Sequence, residues 1–166
     1  MPDSSATILE PLLDGSFRLT QGGAIVLTAE RTSDGFSVAG NGIDGWRLEE
    51  ARAGGYGYVL VGNASGADGG GEIARTSRTG AGVGAVWAIL EDGRLFEFRV
   101  VGLSPVRVDL LSDEAPGPYW TARRGTRHWT IEASAAGSAL RCGPDLWILF
   151  AAEIVRWHRK ERPRHG

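Results

Sequence analysis

Three places in this chain carry residues able to do chemistry. The densest is Arg123-Arg124-Gly125-Thr126-Arg127-His128-Trp129, with Tyr119 and Trp120 just before it. Arginine forks match phosphate and carboxylate geometry, and neighbouring aromatics suit a membrane interface. A hairpin turn with solvated charges explains the same residues without a ligand. The second is the basic tail from Arg156 through Arg159 and Lys160 to Gly166, which includes His158 and His165. It suits an anionic lipid surface, at about 1 kcal/mol per basic residue near the surface. It also suits a helix C-terminus, where cations meet the negative end of the dipole. The third is Glu153, one carboxylate inside an otherwise apolar run. A buried charge needs a partner, so Glu153 is expected either to pair with an arginine such as Arg99 or Arg107, or to mark a polar internal site.

Other chemistry finds no support. His128, His158 and His165 have no ligand spacing with one another or with Cys142, so no metal is expected. Cys142 stands before a helix start, where a thiol pKa can fall, but it reads as a small buried hydrophobe. Gly80-Ala-Gly-Val-Gly84 lacks the Lys-Ser/Thr of a phosphate loop, and no Gly-x-Ser-x-Gly elbow is present. No cofactor and no catalytic residue are called for.

The elements that would position these groups are mostly strands. Asp14-Gly15, Asp34-Gly35, Asn41-Gly42, Asp44-Gly45, Asp68-Gly69 and Asp92-Gly93 punctuate the chain as hairpin turns. Between and after them lie β-prone runs, including 16–20, 24–28, 35–38, 46–48, 56–61, 72–77, 83–90, 94–101, 106–111, 119–122, 128–133 and 139–142, or about twelve strands. The cleanest hairpin sets Val86–Leu90 against Leu95–Val101 across Glu91-Asp92-Gly93. Gly62–Gly71 reads as an exposed loop and Ala115-Pro-Gly-Pro118 as a break. Strands at this spacing argue for a barrel or sandwich.

A helix over about 145–161 closes the pattern, with Pro144 and Asp145 in its first turn. From Leu146 to Trp157 it is apolar on almost every side, so it must be buried on all sides rather than along one stripe. The expected fold is therefore mainly β: one closed barrel spanning residues 1–166, with the hydrophobic helix threaded through it or packed against it.

The run Leu146-Trp-Ile-Leu-Phe-Ala-Ala152 with Ile154-Val155, following strand-rich sequence from Gly71 to Cys142, resembles the tubby-like β-barrel superfamily. That group includes tubby domains, phospholipid scramblases and LURP-one-related proteins. The resemblance implies a barrel around a central helix, and a role in binding lipid head groups or membranes. This chain departs from the group in having no cysteine-rich stretch, no Ca²⁺-loop pattern and a single lysine, Lys160. A pleckstrin-homology-like barrel also ends in a helix carrying a Trp, but that helix is amphipathic and caps one end.

Charge sharpens the functional expectation. The chain carries −2 overall, yet 4 arginines face 10 acids up to Ala74, while 14 basic residues face 10 acids from Arg75 onward. One end or face is thus expected to prefer an anionic partner. With one cysteine no internal disulfide can form, and Met1-Pro-Asp-Ser-Ser-Ala6 has neither the basic nor the apolar region of a signal peptide. The apolar run is too short to span a bilayer. These features lead to the expectation of a cytoplasmic protein, peripheral at a membrane. It would be non-enzymatic and bind anionic head groups through Arg123, Arg124, Arg127, Arg156, Arg159 and Lys160. The alternatives are a protein-interaction module and a small-ligand barrel with a cavity near Glu153. Nucleic acid is not an expected partner.

Overall fold

The computed structural model describes residues 7–40, 43, 45–50, 57–62, 71–77, 85–101, 107–141 and 143–160, with the side chains of 85 and 157–160 outside that description. Twelve strands form a closed antiparallel barrel: β1 Thr7–Pro11, β2 Phe17–Gln21, β3 Ala24–Arg31, β4 Gly35–Gly40, β5 Trp46–Glu50, β6 Tyr58–Val61, β7 Glu72–Ser77, β8 Ala85–Leu90, β9 Leu95–Val101, β10 Arg107–Ser112, β11 Ala115–Arg124 and β12 Trp129–Ala133. Each strand pairs with its sequence neighbours, and β1 closes on β12 with Leu9 opposite Trp129. Two helices follow, α1 Ala135–Ala139 and α2 Pro144–Lys160.

Strand periodicity of two sets the inside apart from the outside. Phe17 and Leu19 of β2, Phe36 and Val38 of β4, and Phe96 and Phe98 of β9 are buried. Their neighbours Arg18, Ser37, Glu97 and Arg99 alternate with them. The outer face holds ion pairs such as Arg18–Glu10 at 2.9 Å and Arg99–Glu97 at 2.7 Å. Such a surface is unlike the apolar band of a barrel that crosses a bilayer. At the β8–β9 turn Gly93 takes φ +88° and donates to Leu90 O at 3.0 Å, which explains the glycine there.

Leu146 and every residue from Ile148 to Val155 are at most 1% exposed, and all of them but Glu153 share one hydrophobic cluster with the inward strand residues. Phe150 meets Phe98 edge-on at 5.1 Å, and Trp147 stacks on Trp120 at 3.8 Å. The Asp145 carboxylate accepts from Leu146 N at 2.8 Å, engaging one of the free N–H groups at the helix start.

The expected strand number is found, but three assignments change. Thr7–Pro11 is a strand that the sequence reading omitted. Its pairing with β12 lies more than a hundred residues away in the chain, beyond any local signal. Residues 139–142 are not a described strand. Ser134 instead caps α1, its hydroxyl accepting from Gly137 N at 3.1 Å, and Ala139 is the last residue of that helix. Ala115-Pro-Gly-Pro118 is not a break either. It begins β11, where a register shift opposite Leu110–Ser112 and φ +76° at Gly117 let prolines enter a strand. Residues 63–70 and 80–84 and Cys142, singled out above as loop, glycine-bent segment and thiol, lie outside the described residues.

Candidate functional site

Antiparallel order alternates the turns between the two ends of the barrel. Turns 12–16, 32–34 and 125–128 fall at one end, as do the starts of β6, β8 and β10. Arg123, Arg124 and Arg127 belong to this end. So does Arg156: its Nη2 donates to Gly57 O at 3.4 Å, and its guanidinium lies 4.3 Å from the Tyr58 ring centre. Arg159 and Lys160 occupy the last turn of α2 beyond it. Basic residues far apart in sequence thus converge on one end of the molecule.

Their partners differ. Among the described residues, Arg18, Arg31, Arg47, Arg75, Arg94, Arg99, Arg107 and Arg156 each form an ion pair with a carboxylate. Arg123 and Arg127 form none with the described residues, and both are exposed. Arg123 stands directly opposite Arg107 in the β10–β11 register, a like-charge pairing that is unfavourable unless an anion offsets it. Arg107 is held by Asp109 at 3.4 Å. Arg124 has the same parity on β11 as the inward Trp120 and Ala122 and sits half-buried at the rim. Glu10, the acid of β1 on the same side as this turn, is engaged by Arg18. The opposite end carries Glu72, Glu91, Asp92, Asp113, Glu114 and Asp145, so the barrel is electrically polarised along its axis.

Glu153 is a structural group in this arrangement. It is 0% exposed, and Thr76 Oγ1 donates to its Oε1 at 3.0 Å. The same Thr76 oxygen accepts from Tyr58 N at 2.8 Å, so the hydroxyl's proton and a lone pair are both used. Arg156 Nη1 lies 3.8 Å from Glu153 Oε1. Burial alone would lower the Arg156 pKa, but the charge of Glu153 with Tyr58 and Glu50 outweighs it and holds the guanidinium charged. Burial pushes the Tyr58 phenol up. The expected partners of Glu153 are thereby corrected: Arg99 pairs with Glu97 and Arg107 with Asp109, both on the outer face. The partner found is three residues along the same helix, a spacing that puts the two side chains on one face. Arg156 itself, expected as a surface cation, has only 15% of its side chain exposed.

Two described cavities lie at the opposite, acidic end, and neither is lined by Glu153. One, of about 220 Å³, is bounded by Leu19, Leu27, Ile43, Pro144 and Trp147, with Gln21 Nε2 donating to Thr7 Oγ1 at 3.0 Å on its wall. The other, a shallower hollow of about 430 Å³, has Trp46, Glu91, Asp92 and Asp145 on its walls. Among the described residues no three His, Cys, Asp or Glu stand together as metal ligands, and no helix is long and apolar enough to cross a membrane.

The sequence reading located the arginines of the 123–127 segment. It missed Arg107 as their cross-strand neighbour, which only the β10–β11 register reveals. It also missed the exposed tip Leu12-Leu13 at the same end, which looks like ordinary strand sequence. No family model matches the chain, nor does any curated protein or solved structure.

Proposed function

We propose that this chain is a tubby-like barrel, with α2 passing through its centre, that docks by its basic end onto anionic lipid head groups. It acts as a binding module at the cytoplasmic face of a membrane, peripherally and without catalysis. The threaded helix is supported by burial on every face from Ile148 to Val155. The lipid reading is carried by one observation: Arg123 and Arg127 are exposed and unpaired among the described residues, at the end where other cations gather. Exposed arginines without internal partners keep their full attraction for an outside anion, and several acting together add about 1 kcal/mol each at an anionic surface.

The test is co-sedimentation with vesicles of phosphatidylcholine, with and without phosphatidylserine, at low and physiological salt. Binding is expected only with phosphatidylserine, and is expected to weaken as salt rises. The triple variant Arg123→Glu, Arg124→Glu and Arg127→Glu is expected to stay folded and lose binding. Undiminished binding by that variant removes the site.

A second reading rests on the 220 Å³ cavity. Its apolar walls and the Thr7–Gln21 pair suit a small apolar ligand bearing one polar group. A thermal-shift screen with such compounds, repeated on Leu27→Trp to fill the space, tests it.

A further inference from the structure

Leu13 is 95% exposed, and Leu12 beside it is 38% exposed. They form the tip of the β1–β2 turn. That turn is rigid: Leu12 N donates to Ser16 O at 2.8 Å, Gly15 N donates to Leu12 O at 3.1 Å, and the Asp14 carboxylate accepts from Ser16 N at 2.9 Å. Nothing in this geometry needs a leucine at position 13. Its place in the barrel is informative. β1 pairs with β12 with Leu9 opposite Trp129, and continuing that register brings Pro11 level with Arg127. The β1–β2 turn therefore neighbours the turn that carries the unpaired arginines. Other exposed apolar residues sit elsewhere: Ile25 is at the start of β3, near the opposite end, and Ile89 faces Leu95 across the β8–β9 hairpin.

We infer that the Leu12-Leu13 tip is an apolar wedge that enters the interfacial layer of an anionic bilayer while Arg123 and Arg127 hold the head groups. The inference rests on the docking reading above and adds its depth and orientation. A convex leucine pair flanked by cations suits a soft receptor. It is too small for the buried core of a stable protein interface, which needs an anchor cluster in a pocket. The rigid turn spends little ordering entropy on insertion. Of the two acids near the tip, Glu10 is paired with Arg18 at 2.9 Å, while the exposed Asp14 is held charged by the Ser16 N–H and must stay at the head-group level beside the arginines.

The test uses the full chain and the same phosphatidylcholine and phosphatidylserine vesicles. Leu13→Ser is expected to weaken partitioning by roughly ten- to a hundredfold, the value of removing one leucine from an apolar phase. Leu13→Trp is expected to retain or tighten binding, and Ile25→Ser to leave it unchanged. Because Leu13 is exposed, circular dichroism and melting of Leu13→Ser should match the parent. A polarity-sensitive dye on Leu13→Cys, in a Cys142→Ser background, should shift to the blue with phosphatidylserine vesicles alone. A dye that stays in water while the parent protein sediments overturns the wedge and leaves the arginine site standing. Equal binding by Leu13→Ser and the parent does the same. Absence of sedimentation by the parent protein overturns both readings at once.

Discussion

Replacing Glu153 offers the sharpest test of how the interior is held together. Its Oε1 lies 3.8 Å from Arg156 Nη1, a gross attraction of about 4 kcal/mol at an effective dielectric of 20. Desolvation takes back much of that. Removing one member of a buried pair nevertheless costs about 3–5 kcal/mol, because the other charge is stranded. Arg156 keeps 15% of its side chain in reach of water, so the lower figure applies. Glu153→Gln preserves an oxygen for the Thr76 hydroxyl and removes only the charge, and is expected to cost about 3 kcal/mol. With a urea slope of about 2 kcal/mol/M, the midpoint should fall by roughly 1.5 M. The double variant Glu153→Leu with Arg156→Met removes both charges and should recover most of that loss. Urea unfolding of Glu153→Leu, Arg156→Met and the double variant gives the coupling. A coupling below about 0.5 kcal/mol would refute the pair as an energetic unit, since independent sites add to within that margin.

Three further outcomes are expected. Phe150→Ala, which empties the space against Phe98 and Trp120, should destabilise by about 3–5 kcal/mol in the same assay. Gly137→Ala would drive a methyl group into the Tyr119 carbonyl, so a melting-temperature loss equivalent to about 1–3 kcal/mol is expected despite the mildness of the change. Burial raises the Asp145 carboxyl above its ordinary range. The folded state therefore favours the neutral acid, and stability should fall as pH rises from the ordinary carboxylate range through the raised value. Asp145→Asn should flatten that part of the urea-midpoint profile against pH.

What could be read from the sequence followed physical locality. Asp92-Gly93 fixes a hairpin because positive φ is a property of one residue, and the β8–β9 pair formed as expected. The all-round apolar run demanded burial, and α2 has it. Thr7–Pro11 escaped notice because its partner is β12, and Ala115–Pro118 because prolines are admitted only by a bulge that no local pattern announces. The candidate site divides the same way. Arg123, Arg124 and Arg127 stand out as a run. Arg107 beside Arg123, and the leucine tip beside Arg127, depend on register, which is a property of the closed sheet. Glu153 invited a search for a distant arginine, while one charged partner, Arg156, lay one helical turn away.

The seam between β1 and β12 has a consequence for how the molecule comes to exist. A closed sheet has no edge, so the twelve described strands, once paired, offer no edge on which another chain can build. Before closure the situation is reversed. Eleven pairings can form in order along the chain, yet each intermediate has two open edges and an aromatic inner face with no helix to cover it. The helix that packs into the same cluster, α2, is the last of the described elements, and the pairing that shuts the seam joins residues at the two extremes of the barrel. Long-range closure of this kind is slow. The hazard of aggregation is therefore concentrated in the interval of folding, and a variant that merely delays α2 can lower yield without altering the final stability at all.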